Sequence, residues 1–413
     1  CRSYAGEAVV VEGCARRGRL RLSFLIIHYR ERRKRVETTA APRDYSEEKV
    51  LFLALELSNS KWKLGSTVGV GSKARERTIA AGDLGALHEE VSRAKRRFGL
   101  ESSARVVSCY EAGRDGFWLD RHLRHAGIEN IVVDPSSIEV NRRSRRAKTD
   151  RLDVGKLLRQ LMRWWSGEPK VWGVARVPSV EAEDQRQLHR ELEALKRERT
   201  RYTNRMTSLL VTQGVRLKVS RSFLARLSAV RLWDNSPVPA GLRSRLEREY
   251  VRWTLVQEQI AELEKQRRSA LRTARDRGAQ TARRLYRLRG IGENYAWLAS
   301  MEAFAWRRFD NRRQVGGMAG LTPTPYSSGQ IQRDQGIGKD GNRRLRAATV
   351  EIAWGWLRFQ PDSELSKWFQ ERYGPGSRRS RRVGIVALAR KLLIALWRYL
   401  ETGVVPAGAV LKT

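Results

Sequence analysis

Cysteine is scarce in this sequence, and the scarcity excludes two common ways of holding a fold together. The 413 residues include three cysteines, Cys1, Cys14 and Cys109. Three widely separated thiols can form neither a disulfide framework nor a zinc site of the usual spacing. Such cysteine usage is typical of proteins from a reducing cytoplasm.

Long apolar runs are absent as well. No segment has the roughly 18 consecutive apolar residues that a membrane-spanning helix needs. The short apolar run at 24–27 has basic residues on both sides, which is wrong for a secretory signal peptide. The first methionine is Met162, and residues 1–47 are arginine-rich and weakly patterned. We expect residues 1–47 to be a basic extension that is disordered or foreign to the native chain.

Acidic residues are too few to balance the basic ones. Lys and Arg number 82 against 45 Asp and Glu, which gives a formal net charge of +37. A surplus of this size repels itself in the compact state unless a polyanion neutralises it. Because no membrane span is available, a nucleic-acid duplex or a folded RNA is the partner that fits. The length allows two or three domains.

The regularly patterned part of the sequence begins at Lys49. Apolar periodicity predicts, in chain order, strands over 50–57, 63–70 and 75–80, a helix over 84–98, a strand over 105–110, a helix over 116–125, a strand over 130–133 and a helix from Thr149. A three-stranded meander followed by crossover units is the element order of an α/β RNase H-like (RuvC-like) domain. We assign that domain to residues 48–168.

The rest of the chain is predicted to be mainly helical. Apolar residues at alternating steps of four and three, in 181–213 and again in 246–260, indicate two long coiled-coil-like helices in a linker region, 169–278. They could pack as an antiparallel arm, as a hairpin inside one domain, or against another subunit. A C-terminal domain, 279–404, follows with a loop-rich block at 316–346, helices over 345–359 and 383–399, and a Gly/Arg/Ser segment at 374–382 that suits a mobile phosphate contact.

Four acidic residues occupy positions that favour a metal site. Glu56 ends the first strand and Glu111 follows the fourth, and these two strands lie side by side in an RNase H-like sheet. Asp150 and Asp153 share one face at the start of the third helix. Carboxylates gathered in this way repel one another unless divalent cations lie between them. Oxygen ligands suit Mg²⁺ or Mn²⁺, and a pair of such ions serves phosphoryl transfer. Acids at a helix start also have an ordinary explanation, because they stabilise the positive end of the helix dipole.

Four segments, in order, resemble the DEDD-type insertion-sequence transposases (the IS110 class): YEAGRDGFWLDRHL, RRAKTDRLD, LRGIGENYA and AGLTPTPYSSG…GIGKDGNRRLR. That family joins a RuvC-like domain to a C-terminal transposase domain that carries a serine. The resemblance covers residues 49–400. It implies a metal-dependent DNA transposase/recombinase of a bacterial insertion sequence, working in the cytoplasm at the nucleoid.

The resemblance also implies residue roles. The catalytic, metal-binding carboxylates would be Glu56, Glu111, Asp150 and Asp153, although the family generally has Asp where this chain has Glu56. The nucleophile would be Ser328, with Ser327 as the alternative, and its attack would leave a covalent protein–DNA intermediate. Ser-Gly after Thr-Pro is also ordinary turn chemistry. The family further implies a homo-oligomer, dimer or tetramer, and in some members a structured guide RNA encoded by the element.

Basic and glycine-rich segments are the candidate contacts with element ends, target DNA or guide RNA. In the turn at 288–292, glycines would let backbone N–H groups approach a phosphate, as in a helix-hairpin-helix, while a helix C-cap is the competing interpretation. The full set of candidate nucleic-acid-binding residues is Arg142, Arg143, Arg145, Arg146, Lys148, Gly290, Gly292, Lys339, Arg343, Arg344, Arg378 and Arg379. Such contacts position a backbone and do not read bases.

Two other functions are compatible with the sequence. The carboxylates alone, with water as the nucleophile, would make a RuvC-like junction nuclease for which Ser328 is dispensable. A non-catalytic relic of a transposon, whose Glu56 marks a decayed site, would bind nucleic acid in a salt-sensitive way and cut nothing in Mg²⁺.

Overall fold

The computed structural model describes residues 49–138, 150–328 and 331–412, and its N-terminal part is built on a five-stranded sheet. The strands are β1 (Leu51–Leu57), β2 (Lys61–Thr67), β3 (Arg75–Ala80), β4 (Val106–Glu111) and β5 (Glu129–Val133). Their order is β3-β2-β1-β4-β5. β1 to β3 form an antiparallel meander, and β4 and β5 run parallel to β1. The predicted meander and the predicted pairing of the first strand with the fourth are confirmed.

Helices cover both faces of this sheet. They are α1 (Leu84–Arg97), α2 (Trp118–His125) and α3 (Asp150–Trp165). Because successive side chains of a strand point to opposite faces, β1 contributes to two cores. Leu51, Leu53 and Leu55 pack with α1 and α2, whereas Phe52 and Ala54 pack with α3. The result is a mixed α/β layer with α1 and α2 on one face of the sheet and α3 on the other.

The middle of the chain is a pair of long antiparallel helices. Its elements are α4 (Val180–Asp184), α5 (Gln187–Val211), α6 (Phe223–Ala229) and α7 (Ala240–Thr273). Leu192 and Leu195 of α5 pack against Ile260 of α7. The ion pair Lys196–Glu264, with N and O 2.7 Å apart, joins the same helices. The two long helices predicted from the sequence therefore pack on each other within one chain.

The C-terminal part is helical around one buried helix. Its elements are α8 (Arg277–Tyr286), α9 (Glu293–Ala299), a π-helical turn (Ser300–Phe304), α10 (Arg312–Met318), the antiparallel hairpin of β6 (Pro323–Ser328) and β7 (Ile331–Ile337), α11 (Arg343–Phe359), α12 (Glu364–Tyr373) and α13 (Arg378–Thr402). Leu388, Leu392 and Leu396 place α13 at the centre of the core, against Trp356 of α11.

The sequence predictions for this region need correction. The helix α12 has no counterpart in the sequence prediction. The helix predicted from Val383 begins at Arg378, because Ser377 caps it by accepting a hydrogen bond from the Ser380 N–H at 3.3 Å. The segment 374–382 is therefore partly helix, and the loop-rich block 316–346 contains the β6–β7 hairpin.

The domain boundaries remain a prediction. Within the described ranges, no helix has both the length and the apolar character to cross a membrane.

Candidate active site and nucleic-acid surface

Three of the four predicted carboxylates line one cleft, which lies where the neighbouring central strands β1 and β4 end. β1 and β4 pair in parallel, with Leu55 opposite Tyr110, so Glu56 and Glu111 are the next residues along the two strands. Both belong to the set of side chains that faces α3, as Phe52 and Cys109 do. Asp153 of α3 lies one turn before Leu157, which packs on that face. The cleft that these carboxylates share has a volume of about 200 Å³.

Among the described residues, the walls of the cleft combine apolar groups with one cation. Pro135, Ile138 and Leu157 line it together with Lys156. Glu111 is exposed, and Glu56 and Asp153 are half-buried, so the carboxylates remain accessible from solvent. Asp150 is the first residue of α3, one turn before Asp153. Its side chain lies outside the described residues.

The donors in this cleft have the right chemistry for a hard divalent cation. Carboxylate oxygens are the ligands that Mg²⁺ and Mn²⁺ prefer. However, no three of the described His, Cys, Asp and Glu side chains come together closely enough to form a metal-binding group. The described residues thus bring the ligand types to one cleft without a closed coordination shell.

The two candidate nucleophiles lie at the tip of the β6–β7 hairpin. Ser327 pairs with Gln332 and Ser328 with Ile331, at the last positions before the turn. Ser327 is exposed, and the Ser328 side chain lies outside the described residues. The hairpin belongs to the C-terminal part of the chain, whereas the cleft is built on the N-terminal sheet.

The root of the hairpin depends on glycines that no side chain can replace. Gly320 has φ +61°, and a Cβ there would lie 1.8 Å from the carbonyl oxygen of Asp340. A Cβ on Gly341, φ +81°, would lie 2.4 Å from the carbonyl oxygen of Met318. Backbone hydrogen bonds join the same segments, from Asn342 to Met318 at 2.6 Å and from Gly338 to Thr322 at 2.9 Å. The hairpin is therefore fixed at its base, between α10 and α11.

A buried ionic network that the sequence analysis missed lies beside this root. Glu302 is 1% exposed, and its carboxylate accepts hydrogen bonds from Arg190 at 2.9 and 3.0 Å and from the Asn342 side chain at 2.8 Å. His189 Nε2 lies 2.8 Å from the same carboxylate. Asn342 also caps α11 by accepting from the Leu345 N–H at 2.9 Å. The network therefore ties α5 to the start of α11.

The electrostatics of this network favour an ionised Glu302. Burial by itself would raise the pKa of Glu302, but hydrogen bonds and positive charge from His189 and Arg190 lower that pKa well below its ordinary value. In the sequence, this network could have been suspected from Glu302, a single acidic residue within the mostly apolar segment Asn294–Phe304. An acid there is almost never buried without partners.

The turn at 288–292 connects α8 to α9 as predicted, but the structure gives Gly290 a packing role. Gly290 has φ +85°, and a Cβ there would lie 3.0 Å from the Cβ of Phe359. The C-terminal segment covers the turn: Leu411 pairs with Leu288, and the Lys412 ammonium donates to the Ile291 carbonyl at 2.7 Å. Gly292 caps α9 and has open space at its Cβ position.

The other predicted nucleic-acid-binding residues differ in how free their charge is. Arg142, Arg143, Arg145, Arg146 and Lys148 lie outside the described residues. Lys339 and Arg343 are exposed beside the hairpin root. Arg344 is half-buried and donates to Glu193 of α5 at 2.6 Å, so its charge is already compensated. Arg378 and Arg379 are exposed in the first turn of α13.

Comparison with known proteins gives consistent matches. The family model described as "Transposase IS116/IS110/IS902 family" matches residues 282–368, which include the 288–292 turn, the hairpin and α11. "Putative transposase y4rJ" of Sinorhizobium fredii is 42% identical over 376 residues, which cover 88% of this chain and 95% of that protein. "Transposase for insertion sequence element IS1328" of Yersinia enterocolitica is 27% identical over 324 residues, 77% of this chain and 91% of that protein.

Proposed function

The chain belongs to the transposases of the IS116/IS110/IS902 family, and from that premise we propose that it cuts and rejoins DNA with two catalytic parts. One is the carboxylate cleft formed by Glu56, Glu111 and Asp153 together with Asp150. The other is a serine of the β6–β7 hairpin, Ser328. The observation that carries the proposal is that Glu56, Glu111 and Asp153, from three separate elements, line a single cleft.

We further propose that the N-terminal layer is an RNase H-like domain. Its strand order, β3-β2-β1-β4-β5 with an antiparallel meander and parallel crossovers, supports this assignment. So does α3, which brings its acidic first turn to the edge where β1 and β4 end. The register of the sheet brings Glu56 and Glu111 to neighbouring strand ends, and α3 adds Asp153 to the same cleft, which supports a proposal in which all three act on one phosphate.

In the proposed reaction the carboxylates hold Mg²⁺ or Mn²⁺, which when bound would lower the pKa of an attacking hydroxyl and stabilise charge on the phosphate. The serine oxygen forms a bond to phosphorus as a phosphorus–oxygen bond to deoxyribose breaks. The serine proton is transferred to the departing oxygen. Attack by the hydroxyl of another strand then reverses the exchange, so strands are joined without an external energy source.

The two parts belong to different regions of the chain, and we propose that they meet in an assembled homo-oligomer on DNA. A structured RNA of the element would direct that assembly to donor and target. The surplus of 82 Lys and Arg over 45 Asp and Glu supports a large polyanionic partner.

A covalent-adduct assay tests the proposal. The full chain is incubated with element-end DNA, element RNA and Mg²⁺, and protein-linked DNA is resolved on a denaturing gel. We expect Ser328→Ala to abolish the adduct and Ser327→Ala, its neighbour, to retain it. Cleavage without an adduct that survives both serine substitutions would establish the junction-nuclease alternative, with water as nucleophile. Binding without cleavage on the correct DNA and RNA would establish the non-catalytic alternative.

A further inference from the structure

A pocket in the C-terminal region combines an aromatic ring with a group of arginines. It has a volume of about 470 Å³ and is lined by Trp354, Gly376, Arg378, Arg381 and Arg382. Its size is within the range of ordinary ligand pockets, roughly 300–1,000 Å³. Every charged side chain that lines it is basic. Its lining residues include none of those that line the carboxylate cleft and none of the described residues of the β6–β7 hairpin.

The tryptophan of this pocket is held in place but not buried. Trp354 lies on α11 beside the fully buried Ala353, yet it is 44% exposed. Its ring meets Phe369 of α12 in an edge-to-face arrangement, with ring centroids 6.5 Å apart. Indole is a large apolar surface, and leaving so much of it in water forgoes the stabilisation that burial would give. A ring anchored on one side and exposed on the other suits stacking with a ligand.

The arginines of the pocket lie on one face of α13. Arg378, Arg381 and Arg382 are separated by three and four residues, so their side chains are neighbours on the helix surface. Within the described ranges, no salt bridge involves any of the three. Like charges at this spacing destabilise a helix, and a bound anion would remove the repulsion. Glu351, one turn before Trp354 on α11, does not line the pocket.

We propose that this pocket binds an unstacked nucleotide of single-stranded nucleic acid. Trp354 stacks on the base, and Arg378, Arg381 and Arg382 contact the adjacent phosphates. A phosphate contact alone would need only the arginines, whereas the exposed ring adds recognition of a π-face that a duplex hides between its base pairs. DNA and RNA both present this combination of base and phosphate. The proposal goes beyond the reaction at the serine and the carboxylates and does not depend on either.

Binding of labelled oligonucleotides to the full chain, measured by fluorescence anisotropy in EDTA, tests this site without any catalytic step. The probes are short single strands of DNA and RNA and the duplex of the same DNA sequence. We expect Trp354→Ala to weaken single-strand binding about tenfold, the effect of losing one stacked base, and to change duplex binding less than about twofold. Trp233→Ala is the matched control, because Trp233 is 86% exposed elsewhere in the chain.

Two further variants separate stacking from folding. Trp354→Leu keeps an apolar side chain against Phe369 but removes the aromatic face, and we expect it to bind as weakly as Trp354→Ala. Trp354→Phe keeps a face and should retain most of the affinity. Equal losses on single strands and duplex, or full binding by Trp354→Leu, would overturn the proposal. Between the two single-stranded probes, a larger loss of binding with DNA or with RNA identifies which nucleic acid supplies the nucleotide. Equal losses with single-stranded DNA and single-stranded RNA indicate recognition without the 2′-hydroxyl.

Discussion

The carboxylate cleft and the serine hairpin are held in the fold by different means. Glu56 and Glu111 are fixed by the register of a five-stranded sheet with helices on both faces. The hairpin is two strands joined to the rest of the chain mainly at its root, through Gly320 and Gly341. A sheet interior holds its side chains in place by packing, whereas a hairpin tip moves about its base. In the proposed reaction the cleft would be the fixed reference and the serine would be brought to it.

The largest effect on activity is expected at the carboxylate cleft. Asp153→Asn keeps the size of the side chain but removes a charged oxygen ligand, so we expect strand cleavage to fall about 10³-fold or more. Nucleic-acid binding in EDTA should be unchanged. Gel assays of cleavage and binding check this, with Asp184→Asn on the exposed helix α4 as the matched control. Cleavage within a few fold of the parent chain would exclude Asp153 from the site.

The next effect concerns the network behind the hairpin. Glu302→Ala leaves Arg190 and Asn342 without their shared partner in a buried site, so we expect the free energy of unfolding to fall by about 3 kcal/mol. Urea denaturation measures it. Glu351→Ala, an exposed acid on α11, should change stability by less than about 0.5 kcal/mol. A small effect at Glu302 would mean that the network does not hold α5 to α11.

The same network predicts a dependence of stability on pH. The folded-state pKa of Glu302 is lowered from its ordinary value of 4.5. The stabilisation is therefore fully present above about pH 4.5, where the unfolded carboxyl is also ionised, and is lost as the pH falls below it. Glu302→Gln removes this contribution. The difference in unfolding free energy between the parent chain and Glu302→Gln should shrink on acidification, and a constant difference would contradict the assignment.

A smaller effect tests whether the sheet truly positions Asp153. Gly65 of β2 faces α3, where a Cβ would lie 2.4 Å from Val154 Cγ1. Gly65→Ala should push α3 outward, destabilising the chain by about 1–3 kcal/mol and reducing cleavage. Val154→Ala in the same chain should restore part of both, as a double-mutant cycle would reveal. Additive effects would show that the two side chains do not meet.

The smallest effect separates two adjacent arginines near the hairpin root. Arg343 is exposed, whereas Arg344 is already paired with Glu193. Arg343→Gln should weaken nucleic-acid binding and reduce the salt slope by about one. Arg344→Gln should leave that slope nearly unchanged and lower stability by less than about 1 kcal/mol. Identical salt slopes for the two variants would argue against a contact at Arg343.

What could be predicted from the sequence was local or periodic. Strand alternation and element order, interpreted as an RNase H-like sheet, were enough to place Glu56 and Glu111 side by side, because that sheet pairs the first strand with the fourth in parallel. The Glu302 network could not be found in that way, since its partners His189 and Asn342 are distant in the chain and only the tertiary packing brings them in. Arg344 could not be interpreted correctly from the sequence either. Its position suggests a free positive charge, but in the structure Glu193, far away in the chain, forms an ion pair with it. For Gly290, the sequence motif suggests a phosphate contact, whereas in the structure a side chain at this position would collide with Phe359.

The pairing of Leu411 with Leu288 also has a consequence for biosynthesis. Leu411 is synthesised after all the other residues of the helical core that this pairing completes. Until then the turn at 288–292 lacks its cover, together with the hydrogen bonds from Lys412 and between Val410 and Gln360. A nascent chain can thus complete its N-terminal sheet early, whereas its C-terminal helical core is completed only after residues 410–412 have emerged. Termination of synthesis before Val410 would yield a protein with an intact cleft and an unfinished core.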